Sequence, residues 1–341
     1  MCVWRALADV PADLGPTVVT IGNYDGVHRG HRHVIERARE VAVELGPRPS
    51  GKSTAGKSTV GKSTVGKDPA LPVVAVTFDP HPFAVLRPEH APVLLTTIDQ
   101  RADLLHEAGV DDVLVMPFSR EVAGWTPQEF VDRIVVGTLH AAAVVVGANF
   151  RFGNRAAGDV AMLRTAGAAA GFEAVGVELE GGPQAWSSTY IRTCLAAGDV
   201  EGANEALGRL FTVRGVVVEG DHRGHELGYP TANVPTEGIA APADGVYAGW
   251  LRRLDRADGE AAQRMPAAIS VGTNPTFDGT ERRVESYVLD RDDLELYDVE
   301  VEVSFVQRLR GMERFASVDE LLEQMAEDVA SAHKTLGIPE P

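Results

Sequence analysis

Cysteine is scarce in this chain: two residues among 341, Cys2 and Cys194. That is too few for a disulfide framework and fits a reducing compartment. No apolar run approaches the ~20 residues needed to cross a bilayer. The first residues, with Trp4, Arg5 and Asp9, hold no apolar stretch of signal-peptide length. The expectation is a cytoplasmic protein with no membrane partner. Basic charge is also short, since 32 Lys and Arg face 49 Asp and Glu, a net −17. The deficit is −4 over residues 1–190 and −13 over residues 191–341. Neither half has the basic field of a nucleic-acid binder. Anionic small molecules remain candidate ligands, because local arginines and backbone amides bind them inside an acidic shell. A composition of 44% hydrophobic and 24% charged residues is that of an ordinary globular protein, and the length predicts two domains.

Gly22-Asn23-Tyr24-Asp25-Gly26-Val27-His28-Arg29-Gly30-His31 is the stretch that organises the first half. The β-branched run Thr17–Ile21 before it reads as a buried parallel strand, and Val34, Ile35, Ala38, Val41, Ala42 and Leu45 after it have helical spacing. A strand, a tight glycine turn and a helix N-terminus make an anion site, because free N–H groups and the helix dipole converge there. His28 and His31, one helical turn apart, can face the same phosphate. Two plainer readings stand beside this one. The histidines could cap and pack the helix, or bind a metal with His33 as a third ligand. No cysteine or carboxylate at metal-ligand spacing accompanies them.

The glycine spacing differs from the dinucleotide G-x-G-x-x-G array. It resembles the His-x-Gly-His motif of the nucleotidyltransferase superfamily. The longer Gly-Asn-Tyr-Asp-Gly-Val-His-x-Gly-His form is similar to the adenylyltransferase half of the prokaryotic bifunctional riboflavin kinase/FMN adenylyltransferases, or FAD synthetases. The resemblance implies ATP, riboflavin and FMN as substrates, FAD as product and Mg²⁺ as cofactor. It sets no oligomeric state.

Gly-Lys-Ser-Thr recurs every five residues over 51–67, so G-x-x-x-x-G-K-S matches at Gly46–Ser53, Gly51–Ser58 and Gly56–Ser63. A P-loop needs a buried strand before it and a helix after it, and here the order is reversed. Low-complexity Gly/Ser/Lys sequence predicts a flexible insert, bounded at about residues 47–70.

Strands are expected at Val73–Phe78, Val113–Met116, Ala142–Val146 and Glu173–Val177. Helices are expected at Thr97–Ala108, Thr126–Val136, with Pro127 in its first turn, and Val160–Ala170. The alternation predicts a doubly wound, Rossmann-like parallel sheet with ligands at the carboxyl ends of its strands. The Gly147-Ala148-Asn149-Phe150-Arg151-Phe152-Gly153 loop lies at such an end, where Asn149 is expected to orient the nucleotide and the flavin. Ser187-Ser188-Thr189-Tyr190-Ile191-Arg192 opens a helix expected to run to Leu207. Its serines read as N-caps, or, with Arg192 one turn in, as a phosphate clamp. The resembled family carries Ser-Ser-Thr-x-Ile-Arg here. The resemblance assigns Gly22, Asn23, Asp25, Gly30, Asn149, Ser187, Ser188, Thr189 and Arg192 to ATP or phosphate, with His28 and His31 catalytic.

From Phe211 onward, short β-rich runs broken by Gly, Pro and Asn predict an antiparallel barrel: Phe211–Glu219, Asp244–Leu251, Met265–Val271, Val284–Asp290 and Tyr297–Phe305. Val318–Leu336 has helical periodicity and is expected to close it. Domain bounds of 1–188 and 208–341, with a connecting helix at 189–207, follow. The stretch Gly220–Asn233 resembles the riboflavin kinase pattern of a Gly- and Arg-bearing loop followed by Gly-(Phe/Tyr)-Pro-Thr-Ala-Asn. By itself Pro-Thr-Ala-Asn is turn chemistry. Thr231 and Asn233, two apart on an extended backbone, point the same way and offer neutral hard oxygens suited to Mg²⁺. Arg223 and Gly224 would cover the triphosphate. Alternation puts Glu285 on one face with Tyr287 and Leu289, opposite Val284, Ser286 and Val288. A carboxylate among such neighbours can serve as a general base or simply be solvated. By resemblance Glu285 activates the riboflavin hydroxyl and Arg314 contacts flavin or nucleotide. Leu210 (family Pro), Asp298 (family Gly) and Asp221-His222 depart from the pattern. A different mononucleotide adenylyltransferase with a regulatory barrel, or a flavin carrier without catalysis, are the competing classes.

Overall fold

The computed structural model describes residues 2–46, 70–178, 186–220, 229–255, 264–276, 279–291 and 293–339. The Gly-Lys-Ser-Thr repeat and its P-loop matches lie outside them, as do Asp221, His222, Arg223 and Gly224. The chain divides into two compact units, Met1–Pro92 with Ile98–Ala185, and Val93–Thr97 with Trp186–Pro341.

The first unit is built on six parallel strands: β1 (Val3–Trp4), β2 (Thr17–Ile21), β3 (Val73–Asp79), β4 (Asp112–Pro117), β5 (Ala141–Gly147) and β6 (Glu173–Val177), in the order β1-β4-β3-β2-β5-β6. Its helices are α1 (Arg29–Glu44), α2 (Pro82–Leu86), α3 (Ile98–Glu107), α4 (Arg120–Gly124), α5 (Pro127–Phe130) and α6 (Val160–Ala170). Every residue of β2 is buried. Val18, Val73, Ala75 and Val145 pack with Ile35, Ala38 and Leu105 on one face. Val19, Val74, Val76 and Val144 pack with Ile134 and Leu163 on the other. A sheet covered on both sides needs continuous apolar strands, which is why these segments do not alternate. The order reverses between β2, which continues to β3 and β4, and β5, which continues to β6. That places the switch point at the carboxyl ends of β2 and β5. Leu71 N–H donates to Ala42 O at 3.1 Å, which sets the approach to β3 beside the end of α1.

The expected helix Thr126–Val136 is instead a short α-helix followed by a π-helical turn, Val131–Val136. Thr126 and Glu129 form a capping box at its start.

The second unit opens with two helices where one was expected: α7 (Ser188–Ala197) and α8 (Val200–Leu207). Gly198 takes φ 78° and ends α7, and the Asp199 side chain accepts from Gly202 N–H to start α8. Neither helix is a free connector. Ile191, Leu195, Ala203 and Leu207 share a core with Phe211, Val213 and Phe305, and Leu95 of the Val93–Thr97 segment joins it. Six antiparallel strands follow: β7 (Phe211–Val216), β8 (Thr231–Pro235), β9 (Gly245–Arg253), β10 (Met265–Thr276), β11 (Gly279–Val288) and β12 (Glu300–Arg310). Their order is β7-β12-β9-β10-β11-β8. Val218, just past β7, pairs with Asn233 of β8, so the two edges meet and the sheet closes into a barrel. Register shifts in β12 after Phe305 and Arg308 let that strand bend. The closing helix α9 (Val318–Leu336) is capped by Ser317 and Gly337 and lays Ala332 against Ala248 and Leu289.

Candidate active sites

In the first unit, the turn between β2 and α1 bends through three left-handed residues, Tyr24 (φ 50°), Gly26 (φ 85°) and Val27 (φ 39°). The bend brings the chain back so that His28 is the N-cap of α1, its Nδ1 accepting from His31 N–H at 3.4 Å. That acceptor role leaves the proton of a neutral His28 on Nε2. The two imidazoles stack with centroids 3.6 Å apart and planes at 21°, and Tyr24 meets His31 edge-on at 5.1 Å. Tyr24 is itself buried, its phenol bonded to Thr20 and pushed well above the usual tyrosine range by burial. Burial above all, then the charges of His28 and Arg101, hold the His31 imidazole well below its ordinary pKa. His31 Nδ1 is buried and has no hydrogen-bond partner among the described residues.

Asn23 is exposed, its amide 3.2 Å from His81 Nε2. Gly22 precedes the bend, where a Cβ would come within 3.2 Å of the Tyr24 ring, and Gly30 is buried in the first turn of α1. Asp25 lies beneath the turn. It is 2% exposed and its carboxylate faces Arg101, also 2% exposed, at 3.4 Å. Arg101 Nη1 donates to Thr77 Oγ1 at 3.3 Å, and that hydroxyl donates to Asn23 O at 2.9 Å. Arg101 and Thr77 have no motif to announce them. Asn149 is exposed just past β5, whose Val145 pairs with Thr20 of β2. Its loop is pinned by the Phe150–Phe152 stack at 5.5 Å and by Gly153, where φ is 70° and a Cβ would strike Pro127 N at 2.7 Å.

Ser187, Ser188, Thr189 and Arg192 belong to the second unit. Ser187 Oγ accepts from Tyr190 N–H at 3.1 Å, so this hydroxyl caps α7. Ser188 is half-buried and Thr189 exposed in the first turn. Arg192 Nε donates to Val93 O at 2.6 Å.

The barrel brings Thr231, Asn233 and Glu285 together. β8 and β11 pair so that Asn233 stands directly opposite Glu285, and Thr231 opposite Tyr287. Ala232 and Val234 point into the core with Val284 and Val288. The other face therefore carries Thr231, Asn233, Glu285 and Tyr287, and Tyr229 meets Tyr287 edge-on at 5.1 Å. Asn233 is 5% exposed, and its Nδ2 donates to Thr231 O at 3.2 Å and to Thr231 Oγ1 at 3.4 Å. Gly220 lies against it: a Cβ there would fall 2.6–2.9 Å from the Asn233 amide atoms. Arg314 is exposed past the end of β12. Among the described residues no cluster of three His, Cys, Asp or Glu is placed to hold a metal.

Comparison with known proteins covers both units. The FAD synthetase family model matches residues 10–49 and 61–189, and the riboflavin kinase model matches residues 207–336. The bifunctional riboflavin kinase/FMN adenylyltransferase of Escherichia coli (strain K12) is 35% identical over 326 residues, 95% of this chain and 94% of the relative. The protein of that name from Pseudomonas fluorescens is 38% identical over 332 residues, 96% of each. A crystal structure described as a macrolide-efflux protein from Streptococcus pneumoniae has a TM-score of 0.79 at 29% identity, covering 97% of this chain and 98% of that one. No helix among the described residues is long and apolar enough to cross a membrane. With both family models matched in order and relatives aligned end to end, the chain belongs to the bifunctional riboflavin kinase/FMN adenylyltransferase (FAD synthetase) family, whose members convert riboflavin to FMN and FMN to FAD.

Proposed function

We propose that the two reactions divide between the two constellations described, because they make different chemical demands. Phosphorylating riboflavin requires an alcohol proton to leave, and a positioned carboxylate takes it. Glu285 is that general base. Joining FMN to AMP uses a phosphate already ionised at neutral pH. The work there is alignment and neutralisation of developing charge. The His28–His31 stack at the positive end of α1, with Gly22, Asn23 and Gly30, serves this step. Asn149 orients the flavin nucleotide, and Asp25 acts beneath the loop through Arg101. The first turn of α7, with Ser187, Ser188, Thr189 and Arg192, contacts nucleotide phosphate.

The observation that carries the assignment is the register placing Asn233 opposite Glu285. It sets a hard neutral oxygen beside a carboxylate without any motif requiring it. The donor set fits Mg²⁺: the Asn233 Nδ2 is turned to Thr231, which leaves Oδ1 as the available donor beside the Thr231 hydroxyl. Two neutral oxygens suit an ion that takes most of its coordination from phosphate and water. Bound there with ATP, magnesium would offset charge on the transferred phosphoryl group. Arg223 and Gly224 cover the triphosphate, and Arg314 contacts flavin. The enzyme works in the cytoplasm on small molecules, ATP, riboflavin and FMN.

The test is a product analysis with riboflavin, ATP and Mg²⁺, and separately with FMN supplied. Glu285→Ala should lower FMN formation by roughly 10²–10⁴-fold and leave adenylylation of supplied FMN intact. His28→Ala or His31→Ala should cut FAD formation by roughly 10²–10³-fold and leave FMN formation intact. Loss of both activities in either single variant overturns the two-site assignment.

A further inference from the structure

Arg101 is the bulkiest of the fully buried side chains. A guanidinium cannot shed its charge, so such burial is costly unless its partners are well placed, and apolar residues of equal volume often serve stability as well or better. Two of its partners, Asp25 and Thr77, belong to the apparatus around the phosphate turn. Asp25 lies inside the turn, and Thr77, near the end of β3, passes the contact on to the Asn23 carbonyl. The turn needs outside support. Val27 is β-branched at φ 39° and Tyr24 sits at φ 50°, conformations that persist only where the surroundings over-determine them.

We propose that Arg101 is a positioning residue for adenylyl transfer: through Asp25 and Thr77 it holds the Gly22–His31 turn in its left-handed bend and so sets where His28 and His31 meet the phosphates. This rests on reading the histidine pair as the phosphate site. Arg101 touches no reacting atom; it acts through the turn. His31 is faced by His28 and Tyr24 from the turn and α1, and by the charge of Arg101 from α3, with Asp25 paired to Arg101. The cation therefore also helps keep the His31 imidazole neutral.

The test uses the full-length enzyme with supplied FMN, ATP and Mg²⁺. Arg101→Met should lower kcat for FMN adenylylation at least 100-fold with a smaller change in KM, since a displacement of about 1 Å costs on that order. Riboflavin phosphorylation should be unchanged. Arg101→Lys keeps the charge and should recover activity to within about tenfold of wild type. In NMR titrations the His31 imidazole midpoint should rise in Arg101→Met and stay low in Arg101→Lys. Adenylylation within threefold of wild type in Arg101→Met overturns the proposal. So does equal loss in the Met and Lys variants with an unmoved His31 midpoint, which marks a purely structural residue. Should Arg101→Met fail to fold, Thr77→Val removes one link at constant volume and should lower kcat about tenfold; wild-type kcat there overturns the proposal. Full activity in His31→Ala would instead refute the phosphate reading of the histidines, a separate outcome.

Discussion

Asn233 of β8 and Glu285 of β11 are a directly opposed pair in the antiparallel ladder, so their side chains leave the barrel on the same face. Gly220 closes over the Asn233 amide at a distance that leaves no room for a methyl group. Gly220→Ala should therefore displace Asn233 without touching Glu285. The expected result is a rise in KM for Mg·ATP of about tenfold in riboflavin phosphorylation, with adenylylation of FMN unaltered. Steady-state kinetics of the two half-reactions checks it. An unchanged kinase KM would mean that the Asn233 amide has no part in binding Mg·ATP.

Asp298 stands where the resembled family favours glycine, and the backbone shows why: its φ is 60°, with its N–H bonded to Val217 O at 3.0 Å. Aspartate tolerates this conformation better than most side chains, and a β-branched residue does not. Asp298→Val should destabilise the barrel by about 1–2 kcal/mol. Asp298→Gly should stay within about 1 kcal/mol of wild type, because relief of strain is offset by added freedom in the unfolded chain. Urea denaturation of both variants measures the difference.

The elements read most directly from sequence are those whose ends carry local chemistry. Val160–Ala170 is bounded by the Asp159 cap and Gly171 at φ 86°, and Val318–Leu336 by Ser317 and Gly337. The α7–α8 break was hidden because apolar spacing runs on through Cys194, Leu195 and Val200, while the interruption is one left-handed glycine. β8 is weakly marked because Pro-Thr-Ala-Asn taken alone has turn composition; its extended form comes from pairing with β11, about fifty residues away. β1 is two residues long and owes its existence to β4. Arg101 is the clearest omission at the site. On an amphipathic helix an arginine reads as a solvent-facing residue, and its burial becomes intelligible from partners distant in sequence, such as Asp25, 76 positions earlier. The histidine pair was legible because strand, glycine turn and helix start are contiguous.

Arg310 at the end of β12 holds Asp328 of α9 with two bonds, Nε to Oδ1 at 2.8 Å and Nη2 to Oδ2 at 2.7 Å. Both side chains are largely buried, and the carboxylate raises the guanidinium's pKa. Asp328→Ala leaves a buried cation without its counter-ion and should cost about 3 kcal/mol. Arg310→Met combined with Asp328→Ala removes both charges and should recover most of that loss, because the pair's desolvation cost disappears with it. Chemical denaturation of the four proteins in the cycle tests this. A double variant no more stable than Asp328→Ala alone would contradict it.

His31 ties stability to pH with a definite sign. Its imidazole is held well below the ordinary value of 6.5 in the folded protein, by burial first and then by His28 and Arg101. As pH falls below about 6.5, the unfolded chain takes up a proton that the folded one refuses, so stability is full above that pH and declines below it. Within that window the contribution approaches about 1.4 kcal/mol per pH unit and ends at the folded-state pKa. His31→Gln should flatten the acid limb of the Tm–pH curve between about pH 5 and 6.5 and run parallel to wild type above it. Curves parallel throughout would show that His31 is not the group responsible. A triphosphate bound beside the histidine pair, as proposed, would oppose the effect of Arg101 and favour the imidazolium. ATP binding near pH 6 should therefore be accompanied by proton uptake, read as a buffer-dependent binding enthalpy that is lost in His31→Gln.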